Sequence, residues 1–203
     1  MNIKCVSCCA ISHDMDICNK CGKVIQLDDK MVLYKDTPFE NAENWITLFD
    51  ILNITEQETF SNDILLLKCN QKQEKFHPDK HIYATQFEKL IAMHRASICN
   101  RALVTLSDFV SRVEYILQVH RIKEVADDSI LKDLFMLNIK FEESDSEGKL
   151  QIMTTIKDKV FTLQKLIIKI ITLSQYDNVS KYLIELRYLT KMKKNLHNLT
   201  ILS

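Results

Sequence analysis

Glycine and proline are nearly missing, with 2 of each in 203 residues. That scarcity excludes a turn-rich all-β fold and favours long helices. An excess of one charge is missing too. The 27 basic and 27 acidic side chains cancel, so the chain shows no electrostatic footprint for nucleic acid. No apolar run reaches membrane-spanning length, and the richest, Leu163 to Leu173, is interrupted by lysines. The start, Met-Asn-Ile-Lys-Cys, lacks a secretory apolar region and an Arg/Ser-rich transit peptide.

What is present suits one or two modest domains with a packed core, since 46% of residues are apolar. Seven cysteines occur, and five of them crowd between Cys5 and Cys21. The other two, Cys69 and Cys99, sit singly in helical patterns. This distribution fits a metal site in a reducing compartment better than a secreted disulfide framework.

Three segments separate along the chain. Residues 1–30 are cysteine-rich and short of large apolar residues. Residues 31–43 read as a strand remnant and linker broken at Pro38. From Asn44 onward the pattern is helical. A short helix is expected over about 44–52, with Trp45, Leu48, Phe49 and Leu52 on one face. The next, over about 60–76, has Thr55 or Ser61 placed to cap it and is stopped by Pro78. Two more are expected over about 84–106 and 108–119. A polar hinge near 124–128 leads to helices over about 129–142, 149–175 and 178–200, with a polar break from Glu142 to Gly148. Asp177 or Asn178 is placed to cap the last.

Cys5-x2-Cys8 and Cys18-x2-Cys21 are nine residues apart. Two such knuckles bring four thiolates to one tetrahedral Zn²⁺, and Gly22 suits the tight turn of the second. A tail of this size would be disordered without metal. Cys9 is an alternative to Cys8, and His13 is a further donor. Four thiolates leave no open coordination position, so one structural Zn is expected. An iron–sulfur cluster on the same thiolates remains an alternative.

His77-Pro78-Asp79 lies between two amphipathic helices. Lys68, Lys72 and Lys75 precede it at i, i+4, i+7, on one helix face. The tripeptide in a hairpin's loop, the lysine stripe and the short helix with Trp45 and Phe49 together resemble the J-domain. That resemblance implies that His77, Pro78 and Asp79 contact a DnaK-type chaperone ATPase and stimulate its hydrolysis. It implies that Lys68, Lys72 and Lys75 dock on an acidic surface of that partner. No nucleophile or second ionisable partner surrounds His77 at plausible spacing, so the chain is expected not to be an enzyme.

No Gly/Phe-rich stretch and no β-rich substrate domain follow. Instead come Ala96-Ser97-Ile98-Cys99-Asn100-Arg101-Ala102-Leu103, Ser111-Arg112-Val113-Glu114-Tyr115 and Glu185-Leu186-Arg187-Tyr188-Leu189. These segments resemble the HscB family of iron–sulfur-cluster J-type co-chaperones over about residues 44–200. The double CxxC knuckle is similar to that of eukaryotic members. The expected architecture is mainly α: a zinc-ribbon-like knuckle and linker (1–43), a J-domain helical hairpin (44–122) and a C-terminal three-helix bundle (128–203). The resemblance implies that the bundle binds an IscU-type cluster scaffold. By register from Asp133, the contacts fall on Leu137 and Phe141, with Glu142 beside them, and on Tyr188. His81 and Phe109 depart from the family's usual aromatic and proline, and the helix from Leu131 to Glu143 is the least similar part. A J-protein of another metal-linked pathway, the diphthamide type, is the alternative, and residues 129–200 speak against it. No nucleic-acid or membrane partner is expected, and a weak homo-oligomer is left open. The family's function points to the mitochondrion or a reduced derivative of it, with the cytoplasm as alternative.

Overall fold

The computed structural model describes residues 3–35, 45–123 and 128–201. The chain divides into two compact units, residues 1–112 and 113–203. The first unit takes in the cysteine-rich segment together with the hairpin, and the second begins within the helix that follows the hairpin.

The first unit opens with a two-stranded antiparallel sheet, β1 (Ile3–Lys4) against β2 (Ile11–Ser12). Ile3, Val24, Ile25, Leu27, Val32 and Leu33 are all buried. The N-terminal segment thus has apolar side chains inside the unit's core and is not a free tail. Val32 bridges to Ile46, which leads into α1 (Leu48–Leu52). The expected linker residues 36–43 lie outside the described residues. Helix α1 starts four residues later than the pattern suggested, because Thr47 and Asp50 form a reciprocal capping box. It ends at Asn53, whose left-handed backbone closes the turn.

Helices α2 (Asn62–Phe76) and α3 (Gln86–Ser107) form the hairpin. Ser61, not Thr55, caps α2. Leu65, Cys69 and Phe76 of α2 and Ile91, Ile98, Cys99, Ala102 and Leu106 of α3 are buried. Gln73 crosses between them, its Nε2 donating to the Ala96 carbonyl at 2.9 Å and to Asn100 Oδ1 at 2.8 Å. Thr85 and Glu88 give α3 a second capping box. At its other end, buried Arg112 donates Nε to the Leu106 carbonyl at 2.6 Å and Nη2 to the Ser107 carbonyl at 3.3 Å. A cation there satisfies carbonyls that the helix leaves orphaned.

Helix α4 (Phe109–Val119) runs across the boundary. From Val113 its side chains belong to the second unit. Glu114 pairs with Arg187 at 2.7 Å, and the His120 ring stacks on Tyr176 with centroids 3.6 Å apart. The bundle helices are α5 (Asp128–Glu143), α6 (Ser146–Thr172) and α7 (Val179–Ile201), packed on one another. The polar break before α6 contracts to two residues, because Asp145 caps it and accepts the Gly148 N–H at 2.8 Å. Leu163, Ile167 and Ile171 of α6 and Leu183, Leu186 and Leu189 of α7 repeat at helical spacing and are buried. Among the described residues, no helix is long and apolar enough to cross a membrane.

Candidate functional site

The four expected cysteines converge. Sγ of Cys5 is 3.7 Å from Cys21, Sγ of Cys8 is 3.6 Å from Cys18, and all four lie within 4.8 Å of one another. A tetrahedral ion with about 2.3 Å metal–sulfur bonds needs sulfur–sulfur edges of about 3.8 Å. The donor set therefore fits one metal ion held by four thiolates. The two knuckles share one backbone pattern. The N–H of Cys5 donates to Ala10 and that of Cys9 to Cys5, just as Cys18 donates to Lys23 and Gly22 to Cys18. Cys9 thus occupies the place of Gly22, and both have positive φ, 59° and 71°. Cys9 is exposed and outside the cluster, which decides between it and Cys8. Backbone N–H groups of Cys21 and Lys20 on the Cys18 sulfur lower that thiol, while burial and the neighbouring sulfurs of Cys8, Cys18 and Cys5 raise that of Cys21, as expected of thiols crowded into one cluster.

His77, Pro78 and Asp79 sit at the loop of the α2–α3 hairpin, in a 3-10 turn over Pro78–His81. Pro78 at its first position fixes φ, and His77 has the extended backbone that a residue before proline takes. The His77 ring caps the turn, with Nδ1 accepting the Asp79 N–H at 3.3 Å. His81 Nε2 contacts the Lys75 carbonyl at 3.1 Å, and Lys80 pairs with Glu74 at 3.0 Å. His77 Nδ1 also lies 3.4 Å from Asp79 Oδ2, and the two side chains remain 59% and 83% exposed.

The lysine stripe is not a uniform exposed face. Lys72 is buried, and its Nζ donates to Asp16 Oδ2 at 2.7 Å. Lys75 donates to the same oxygen at 2.9 Å. Lys68 is half-buried and has no ion-pair partner among the described residues. Lys72 and Lys75, the i+4 and i+7 positions, thus face the N-terminal segment, which supplies a carboxylate to both, while Lys75 keeps 48% of its side-chain exposure.

In α5 the expected pair does not form an exposed cluster. Phe141 is buried, with the Lys149 ammonium over its ring at 5.6 Å, and Leu137 is half-buried. Leu134, Leu137 and Phe141 are spaced i, i+3, i+7 and form the inward stripe. The outward apolar side chains are Leu131, Phe135 and Met136, at 45%, 62% and 53% exposure. Glu142 is exposed and Tyr188 half-buried.

No family model matches the chain. Over 110 residues it is 27% identical to the HscB homologue of Vibrio cholerae, covering 54% of this chain and 63% of that protein's length. The structure of HscB from Vibrio cholerae superposes with a TM-score of 0.66 at 19% identity, covering 76% of this chain and 98% of that one. The human HscB co-chaperone superposes with a TM-score of 0.78, also at 19% identity, covering 98% of this chain and all of that one. The chain is HscB-like in sequence and in fold.

Three features of this HscB-like chain escape sequence reading. Asp16 is buried between the knuckles and binds three cations: Lys72, Lys75 and, through Oδ1, Arg95 Nη2 at 2.8 Å. Burial alone would raise its carboxyl pKa, but hydrogen bonds and charge from Lys72, Lys75 and Arg95 outweigh that and lower it. Arg95 is fully buried, 5.0 Å over the Phe76 ring, and burial lowers its pKa against the opposing pull of Asp16. A second tie runs from Lys23 to Glu88 at the start of α3. The third feature is the Leu131, Phe135 and Met136 patch. The Asp16 contacts with Lys72 and Arg95 join residues 56 and 79 apart, which no local pattern signals.

Proposed function

We propose that this chain is a co-chaperone in iron–sulfur cluster biogenesis that carries out no covalent chemistry itself. The observation that carries this reading is the exposed His77-Pro78-Asp79 turn at the tip of an α-helical hairpin in an HscB-like fold. A rigid, solvent-facing turn presents its donors and acceptors with little ordering left to do on binding. The partner is a DnaK-type ATPase whose hydrolysis the turn stimulates, with Lys68 supplying long-range attraction.

The second unit is the client-binding half. Its ligand is an IscU-type cluster scaffold, and the contact is the outward patch of Leu131, Phe135 and Met136 in place of the Leu137 and Phe141 pair, together with Glu142 on the same helix and the aromatic Tyr188 on α7. Exposed apolar clusters of this kind mark interfaces, where they act as hot spots. Cys5, Cys8, Cys18 and Cys21 hold one Zn²⁺, which supplies cross-linking of the N-terminal segment and no open position for catalysis. Its place of action is the mitochondrion or a reduced derivative, with the cytoplasm as the alternative. The diphthamide-type reading is disfavoured by the long helices α5, α6 and α7.

The test is single-turnover ATP hydrolysis by a purified DnaK-type chaperone of this pathway, with and without the chain and a cluster scaffold. Stimulation that His77→Gln abolishes supports the reading. Equal stimulation by the variant overturns it.

A further inference from the structure

The lysine face of α2 is partly neutralised from within. Of the three lysines in that helix, Lys72 and Lys75 converge on Asp16 Oδ2, and the Lys72 side chain keeps only 11% of its exposure. What holds Asp16 in place is the metal knuckle. Its N–H donates to Asp14 Oδ1 at 2.7 Å, and its carbonyl accepts the Ile25 N–H at 2.8 Å. It stands two residues before Cys18, whose own N–H and carbonyl are engaged by Lys23 and Gly22 in the second knuckle. Closing this loop around Asp16 requires Cys18 and Cys21 to meet Cys5 and Cys8, and thiolates that repel one another come together only around a cation.

We propose that the metal knuckle gates the basic face of α2: with metal bound, Asp16 occupies Lys72 and Lys75, and loss of metal withdraws Asp16 and frees both ammonium groups for an acidic partner surface. The number of α2 lysines without an internal carboxylate then rises from Lys68 alone to Lys68, Lys72 and Lys75. Asp16 and an external acidic surface compete for the same donors, so the knuckle sets how strongly the helix attracts such a surface. The consequence for chaperone docking rests on the function proposed above, but the gate itself is a property of this chain alone.

The experiment is residue-resolved amine acetylation of the full chain, read by mass spectrometry, in the zinc-loaded form and after chelation under reducing conditions. Helix content is followed in parallel by circular dichroism. In the loaded form Lys72 reacts about tenfold more slowly than Lys68, the protection expected of a locally closed site. After chelation, Lys72 and Lys75 react at about the rate of Lys68 while the helices persist. Protection of Lys72 that survives chelation overturns the gate, and so does a loss of helix that exposes every lysine together. The Asp16→Asn/Arg95→Met double variant removes the gate together with the fully buried Arg95 charge, and leaves Lys72 without its carboxylate. It should retain one zinc and label rapidly at Lys72, and continued protection there rules out Asp16 as the gate. Because labelling needs no chaperone, its outcome is independent of whether His77→Gln abolishes ATPase stimulation.

Discussion

Asp16 Oδ1 lies 2.8 Å from Nη2 of Arg95, a contact between residues 79 apart that ties the metal-binding segment to the hairpin. Both side chains are buried, at 2% and 0% exposure. Among the described residues Arg95 Nε and Nη1 have no hydrogen-bond partner, and Asp16 is the carboxylate that pairs with its charge. Breaking one member of a buried pair leaves the other uncompensated, which is more damaging than losing the pair. Asp16→Asn should destabilise the first unit by about 3 kcal/mol in urea unfolding. The double variant with Arg95→Met should recover part of that loss, because the Lys72 ammonium still lacks its carboxylate.

The same contact sets a pH dependence. The Asp16 carboxyl is lowered in the folded chain. A depressed carboxylate contributes stability that is fully present above its unfolded value, about 3.9, and is lost as pH falls through the folded one. The stability gap between the native chain and Asp16→Asn should be constant from about pH 7 to about pH 5 and shrink below about pH 4. Urea titrations of both proteins across that range check it, since protonation of the metal ligands affects the two alike. A gap that stays constant to the most acid point would contradict the ion-pair account.

Much of the fold is legible in the sequence for simple reasons. The period of Ile91, Ile98, Ala102 and Leu106 shows α3, and Pro78 marks the end of the helix before it. The CxxC pairs announce a metal site by spacing alone. Two things are hidden. Lys72 and Lys75 look like a solvated stripe because their carboxylate comes from residue 16, far away in the chain. Helix α5 carries Ile130, Leu131, Leu134, Phe135, Met136, Leu137, Ile139 and Phe141 in 16 residues. Apolar side chains then surround the helix, and periodicity cannot say which face is inward.

The matched knuckles make a prediction about Cys9. Both Cys9 and Gly22 have left-handed φ, which costs a residue with a Cβ about 1 kcal/mol. No atom lies within 4 Å of a Cβ built on Gly22, so Gly22→Ala should lose only that backbone term. Cys9→Gly should gain a similar amount and keep one metal per chain by elemental analysis. Cys8→Ser should release the metal. A metal content that falls in Cys9→Gly instead would mean that Cys9 belongs to the ligand set.

His77 and Asp79 are exposed enough that their replacement should leave folding intact. Surface changes of this kind stay within about 0.5 kcal/mol. His77→Gln should therefore unfold at the same urea midpoint as the native chain and yet lose ATPase stimulation. A parallel loss of stability would shift the explanation from partner contact to the cap that the His77 ring places on the Pro78–His81 turn.

The two faces of α5 separate binding from folding. Phe141 is 7% exposed and lies on the stripe with Leu134, which is 2% exposed. Truncating it removes a buried aromatic, and Phe141→Ala should destabilise the second unit by about 3 kcal/mol. Phe135 and Met136 keep more than half of their surface, so little burial is lost on truncation. Phe135→Ala/Met136→Ala should leave the urea midpoint near that of the native chain while weakening capture of a purified cluster scaffold at least about tenfold, as expected when a hot spot is removed. If scaffold capture instead follows Phe141 in a variant shown to remain folded, the inward stripe is the binding face. Undiminished capture by the Phe135/Met136 variant would remove the outward patch from the interface.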